Sequence, residues 1–238
     1  MLEIPRSSSE SAGDPIPMEE NAAVVATMLD AIYPNSILRE VATRRNLTAV
    51  ADKYDVPAVS ATVRSVLFAR TGNVPSLNDR WSAIRLYDLA HKHGWTEEKR
   101  TASSWTLHYC LTSPGAISEL RRVSALTILQ LQDLHRKRID LYKASLKSIV
   151  NGKACRGVWS TSDAWKLLMY EVQEELTTNP LGSRLLKIET WDNSGYAHIF
   201  EILHEDPGCP DLGTLRLPSK SKFITEAQKA LQALPTFI

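Results

Sequence analysis

The groups in this chain that could do chemistry are three cysteines, six histidines and 27 carboxylates. The cysteines, Cys110, Cys155 and Cys209, are odd in number and widely spaced, with no C-x-x-C pair. That pattern disfavours a disulfide framework and a zinc ribbon, and it fits reduced thiols in an intracellular chain. Cys155 has the most unusual surroundings: Lys153 and Arg156 flank it, and Trp159 and Trp165 follow. Nearby cations lower a thiol's pKa, so one reading is a thiol-dependent enzyme using Cys155. The commoner use of such a cluster is aromatic packing that ties the segment to a neighbouring helix. No G-x-S-x-G or other nucleophile signature accompanies the thiol.

His91-Lys92-His93 invites a metal reading. Residues two apart on a helix point about 200° apart, so the pair cannot share one ion there, and a polar helix end explains it better. His135 falls on an apolar stripe, where a buried, hydrogen-bonded imidazole is the ordinary outcome. Arg136-Lys137-Arg138, with Arg121, Arg122, Lys143 and Lys147, could contact phosphates. Over residues 118–150 seven basic groups face three acidic ones. A solvated helix face is the usual reason for such a run, and stacking aromatics or a reading helix are not evident, so nucleic acid is disfavoured as a partner. Glu174, Glu175, Asp192, Glu201 and Glu205 make the later segment acidic, but no spacing fixes two of them as an acid–base pair. There is no Walker-type loop and no G-x-G-x-x-G. The expectation is therefore no catalytic residue, no metal and no cofactor.

The composition agrees with that plain reading. Lys plus Arg is 28 and Asp plus Glu is 27 in 238 residues, a net charge of +1, which argues against a chain built around phosphate neutralisation. Hydrophobic residues make up 43%, enough for a sizeable core. Ten glycines are few for this length and disfavour Gly-lined phosphate loops. No signal-peptide run and no stretch near ~20 apolar residues occurs, which leaves cytoplasm or nucleus as the expected compartment.

Hydrophobic periodicity then places these residues on helices. Residues 1–14 read as a flexible leader rich in serine. A helix is expected over 19–32, with Val24, Val25, Met28, Leu29 and Ile32 as its stripe, stopped by Pro34. A second runs over 37–54, interrupted at Arg44 and Arg45, and Pro57 opens a third through Val59, Val63, Val66 and Leu67. Asp79–His93 follows, stopped by Gly94, then a helix from Glu97 to Cys110 capped by Thr96. Ser113-Pro114 is another cap-then-proline start. After Ser124 the apolar spacing is strongest: Ile128, Leu131, His135, Ile139, Tyr142, Leu146 and Ile149, three or four residues apart, up to Asn151-Gly152. Further helices are expected from Ser162 or Asp163 to Leu176, around Tyr196 to Leu203, and over Lys222–Leu234.

Several phrases in this order resemble fungal BTB/POZ-domain proteins. Met28-Leu29-Asp30-Ala31-Ile32-Tyr33-Pro34 is similar to the "L-L-x-x-I/L-Y-P" helix end, and Ile16 to Glu20 to its lead-in. Ala51-Asp52-Lys53-Tyr54-Asp55-Val56 resembles "A-x-K-Y-D/E-M", and Val59, Val63 and Leu67 the closing helix. Arg85 to Ala90 is similar to "R-V-Y-A-I-A", Gly94 to Glu98 to the turn after it, and Glu119-Leu120, Val123 to Ala125 and His135 to "E-L-x-x-I-S-A…H". Cys155, Trp159 and Tyr170 look like the "C…W…Y" of the C-terminal extension, which favours packing over reactivity at Cys155. The strands and helical hairpin that open a complete BTB domain have no counterpart in residues 1–14. The chain thus resembles the second half of the domain plus its extension, as a truncated gene model or a degenerate paralogue would.

The resemblance implies a mainly α protein: a leader (1–14), a partial BTB-like helical region (15–111) and a helical C-terminal extension (112–238). It implies a non-catalytic protein–protein interaction module, with a cullin scaffold as the partner if the chain is a substrate adaptor for a cullin-type ubiquitin ligase. Oligomeric state stays open. Helices lacking the elements that normally cover them would expose apolar surface.

Overall fold

A computed structural model describes residues 19–32, 47–69, 74–79, 81–151, 163–192, 195–199 and 220–237. The described residues are mainly α-helical, with no strand among them. The leader, most of the expected 37–54 helix, residues 152–162 with Cys155 and Trp159, and residues 200–219 with Cys209 lie outside the described residues. Packing divides the chain into two compact units, Met1–Thr71 and Gly72–Ile238.

In the first unit three helices pack on one another: α1 (Ala22–Ile32), α2 (Leu47–Lys53) and α3 (Pro57–Phe68). The Asn21 side chain starts α1 by accepting the Ala23 N–H at 2.8 Å. The buried side of α1 is Thr27, Met28 and Ala31, while Leu29 and Ile32 are exposed. The expected stripe is thus rotated. Met28 and Ala31 are three apart and share a face, whereas Leu29 and Ile32 each sit about 100° further round. In α2 and α3 the expected residues Leu47, Val50, Ala51, Val59, Val63 and Leu67 are buried, with Pro57 in the first turn of α3. Asp55 turns the chain between them at φ +51°, a left-handed conformation that Asp tolerates better than most side chains. Lys53 bridges Glu19 at 2.8 Å and Glu20 at 2.7 Å, and the Tyr54 hydroxyl donates to Glu20.

The second unit is built on α4 (Ala83–Lys92), α5 (Thr96–Thr106), α6 (Pro114–Leu120), α7 (Ala125–Asn151), α8 (Asp163–Thr178), α9 (Ile188–Asp192) and α10 (Lys220–Gln232), with a helical turn at 195–199. Helix α4 packs on α5, α6 and α7, and α7 continues on to pack α8 and α10. One buried group includes Ala83, Ile84, Leu86, Tyr87 and Ala90 of α4, with Ala102 and Trp105 of α5 also buried. A second core gathers Tyr142 and Leu146 of α7, Trp165, Leu168 and Val172 of α8, and Phe223, Ala227 and Leu231 of α10.

Several helix boundaries differ from the periodicity, for local reasons. α4 begins at Ala83, not Asp79, because the Asp79 carboxylate accepts the Ser76 N–H at 2.8 Å and closes a turn there. Ser82 is the cap, its hydroxyl accepting the Arg85 N–H. Gly94 ends α4 at φ +68°, with the Trp95 N–H returning to the Ala90 carbonyl at 2.9 Å. Thr96 is the first helical residue of α5, not its cap. That helix ends at Thr106, before Cys110: Ser103, Ser104 and Thr106 hydroxyls donate to carbonyls three residues back, and the last turn tightens. Ser113 caps α6 as its sequence indicates, accepting the Ala116 N–H at 3.3 Å. α9 carried no sequence signal; fully buried Trp191 anchors it, donating its indole N–H to the Leu185 carbonyl at 2.8 Å and packing edge-on to Phe223. The expected Tyr196–Leu203 helix is described over 195–199 only, with Ile199 buried.

Gly182 turns the chain after α8 at φ +67°, where a Cβ would come within 2.9 Å of both Leu176 and Leu231 side chains. Gly182→Ala is therefore expected to destabilise the second unit by about 1–3 kcal/mol, combining overpacking and backbone strain. Urea unfolding of the two proteins checks this; an unchanged midpoint would contradict the close approach.

Candidate interaction surface

The sequence candidates are scattered by the fold. His91 stacks on Tyr87 with ring centroids 6.3 Å apart, and His93 on Trp95 at 5.1 Å, so the two imidazoles lie against different aromatic rings. No group of three metal-ligating side chains occurs among the described residues. Cys110 is partly exposed with its sulfur 2.9 Å from the Thr112 hydroxyl. Trp165 is buried in the core of α7, α8 and α10.

The basic run divides by direction. Arg138 turns inward and is almost wholly buried, donating to the Pro180 carbonyl at 3.0 Å and to the Leu234 and Pro235 carbonyls. It is a strut between α7, the turn after α8 and the end of α10. Arg136 and Lys137 share Asp133 at 3.0 and 2.6 Å, Arg122 pairs with Glu119 at 3.0 Å, and Lys143 donates to Gln173. The run is therefore not one continuous cationic face. The acidic candidates divide too: Glu174 is exposed, Glu175 is buried against Arg184 at 3.1 Å, and Asp192 pairs with Lys220.

Two buried carboxylates that the periodicity did not single out as sites organise this unit. Glu119 of α6 accepts from Ser82 at 2.7 Å and pairs with Arg85 and Arg122. Burial opposes its charge, but Arg85, Ser82 and Arg122 outweigh burial and hold its carboxyl below the usual range. Asp88 of α4 accepts the Ser124 N–H at 3.0 Å and the Thr127 hydroxyl at 2.8 Å, and pairs with Lys92 at 2.6 Å. Again burial is outweighed, by Lys92, Ser124 and Thr127, and the carboxyl titrates low.

The residues that face solvent without an obvious structural duty are apolar. Leu126 and Leu129 of α7 are 53% and 63% exposed, and Ile117 of α6 is 41% exposed. Leu126 and Leu129 are three apart, so they share one face of the helix. On that face Asp133 and Lys137 follow one and two turns later, carrying the solvated ion pairs already described. A second exposed pair, Leu167 and Tyr170, sits on α8. The sequence marked the buried side of α7 but not this outer pair, because an apolar residue off the main stripe carries no periodic signal. No helix among the described residues is long and apolar enough to cross a membrane. Comparison with known protein families, curated proteins and solved structures finds no match to the chain.

His135 lies on the inner side of α7 with Nε2 buried and no hydrogen-bond partner for that atom. Burial, and then the Arg138 charge, depress its pKa from 6.5 to about 4. The folded state therefore holds a neutral imidazole where the unfolded chain binds a proton. Stability is fully present above pH 6.5 and falls as pH drops toward about 4. His135→Leu should flatten the upper part of that decline, above the range where Asp88 and Glu119 protonate. Thermal melts of both proteins from pH 7 to about 5 check it; parallel curves would mean that His135 does not titrate this way.

Glu119→Ala should destabilise the second unit by about 3 kcal/mol, because it leaves Arg85 poorly exposed and without its carboxylate. Denaturant midpoints decide this, and a loss under about 0.5 kcal/mol, the level of an ordinary surface change, would show the pair to be peripheral.

Proposed function

We propose that this chain is a non-catalytic protein–protein interaction module that docks a partner through the outer face of α7. The observation that carries the reading is the exposure of Leu126 and Leu129, two large aliphatic side chains one turn apart at the start of a long helix whose outer face also exposes Leu141 further along. Exposed apolar neighbours of this kind gain most by burial against a partner, and a few such side chains supply most of a contact's energy. Ile117, exposed on the helix that leads into α7, extends the apolar character of this part of the chain.

The resemblance of the sequence to fungal BTB/POZ proteins supports a narrower form of the proposal. In that form the chain is a substrate adaptor, and one partner is a cullin scaffold of a ubiquitin ligase. The helical architecture is compatible with both forms.

The test is affinity co-purification from the native cell with partners identified by mass spectrometry. It compares the natural chain with a Leu126→Glu, Leu129→Glu double variant and with a Leu167→Glu, Tyr170→Glu control on α8. Because Leu126 and Leu129 are exposed, the double variant should melt with the natural chain, while specific partners drop by roughly tenfold or more. Partners that survive the α7 variant and are lost from the control would move the surface to α8. A cullin among the partners lost from the α7 variant supports the adaptor form, and its absence from a specific partner set removes that form.

A further inference from the structure

We propose that Ser124 is a phosphorylation site for a serine/threonine protein kinase that reads arginines two and three residues before its target. Ser124 is the one serine of the chain with arginine at both positions, in Arg121-Arg122-Val123-Ser124-Ala125. Ser103 has Arg100 three residues before it but Thr101 in place of the second arginine, and it is fully buried.

The structure presents this motif in the turn between α6 and α7. Arg121 and Arg122 are exposed, as is Ala125, and Ser124 is half-buried. The turn is lightly held: Arg122 N–H reaches the Glu119 carbonyl at 3.0 Å, and Val123 N–H reaches the Leu120 carbonyl at 3.4 Å. The Ser124 hydroxyl meets only first-turn groups of α7, the Thr127 hydroxyl at 3.0 Å and the Thr127 N–H at 3.2 Å. A kinase reaches this hydroxyl by opening the first turn of α7, which breaks the Ser124 and Thr127 bonds to Asp88 and uncovers Thr127. Two adjacent guanidiniums are the recognition chemistry that a carboxylate-lined kinase groove takes, through charge-assisted hydrogen bonds.

In the reaction Ser124 Oγ attacks the γ-phosphorus of ATP. The bond from that phosphorus to the bridging oxygen breaks, ADP leaves, and the hydroxyl proton passes to the kinase's catalytic base. The product carries up to two negative charges beside Asp88, whose carboxylate already accepts the Ser124 N–H at 3.0 Å and the Thr127 hydroxyl at 2.8 Å. Like charges at this distance repel, and the exposed Arg121 offers a cation on the solvent side, Arg122 being already paired with Glu119. Phosphorylation therefore loosens the tie between α4 and the start of α7, two residues before Leu126. The inference stands apart from the docking proposal, since its readout is phosphate on the isolated chain.

The full chain is incubated with ATP and the catalytic subunit of cyclic-AMP-dependent protein kinase, and phosphopeptides are mapped by mass spectrometry. The expected result is a phosphate on Ser124, absent from Ser124→Ala, with the rate cut roughly tenfold in Arg121→Gln. The phosphorylated chain should also melt at a lower temperature. Mapping on the natural sequence gives the answer even if Ser124→Ala folds poorly after losing the hydroxyl that accepts the Thr127 N–H. No phosphate on Ser124, or a rate indifferent to Arg121→Gln, overturns the site; an unchanged melting temperature overturns its coupling to Asp88.

Discussion

Two carboxylates buried between short helices set the geometry of the second unit. An ionised carboxylate away from water is tolerated only when its partners are in place, so Glu119 and Asp88 act as register pins. Glu119 fixes α6 to the start of α4 through Ser82 and Arg85. Asp88, near the other end of α4, holds the first turn of α7 through Ser124 and Thr127. Apolar packing between α4 and its neighbours would allow the helices to slide. The two polar ties allow one arrangement, and α7 leaves it in a defined direction.

That direction matters because α7 belongs to both parts of the unit. Its early turns meet α4, and its later turns enter the core with α8 and α10 through Tyr142 and Leu146. Arg138 stands between these regions and ties three backbone carbonyls beyond α7 to it. A buried guanidinium held by carbonyls, with its fixed fork of donors, is a rigid strut. Burial, with the same charge adding to it, disfavours a proton on His135, one turn earlier.

With its inner side committed in this way, α7 has only its outer side for other work. That side carries Leu126 and Leu129 near the pinned end, then the ion pairs of Asp133 with Arg136 and Lys137, then exposed Leu141. A partner surface on a helix fixed by buried charges is preorganised, so less ordering entropy opposes docking. The arginine pair and Ser124 stand at the same end, where a change of charge would act on the pin and on the neighbouring surface together.

Much of the helical order is legible in the residue pattern. The three- and four-residue spacing from Ile128 to Ile149 specifies α7 because period 3.6 needs no tertiary context, and Ser113-Pro114 and Gly94 mark boundaries through local backbone chemistry. Tertiary structure decided what local patterns leave degenerate. Arg138 and Arg136 are alike in sequence, yet one is a buried strut and the other a solvated partner of Asp133, because only packing tells which side of α7 meets the rest of the chain. Leu29 and Met28 are equally apolar, and only the neighbouring helices choose which is covered. Asp88 and Glu119 acquire their buried roles from partners 34 to 39 residues away, a distance over which periodicity carries no information.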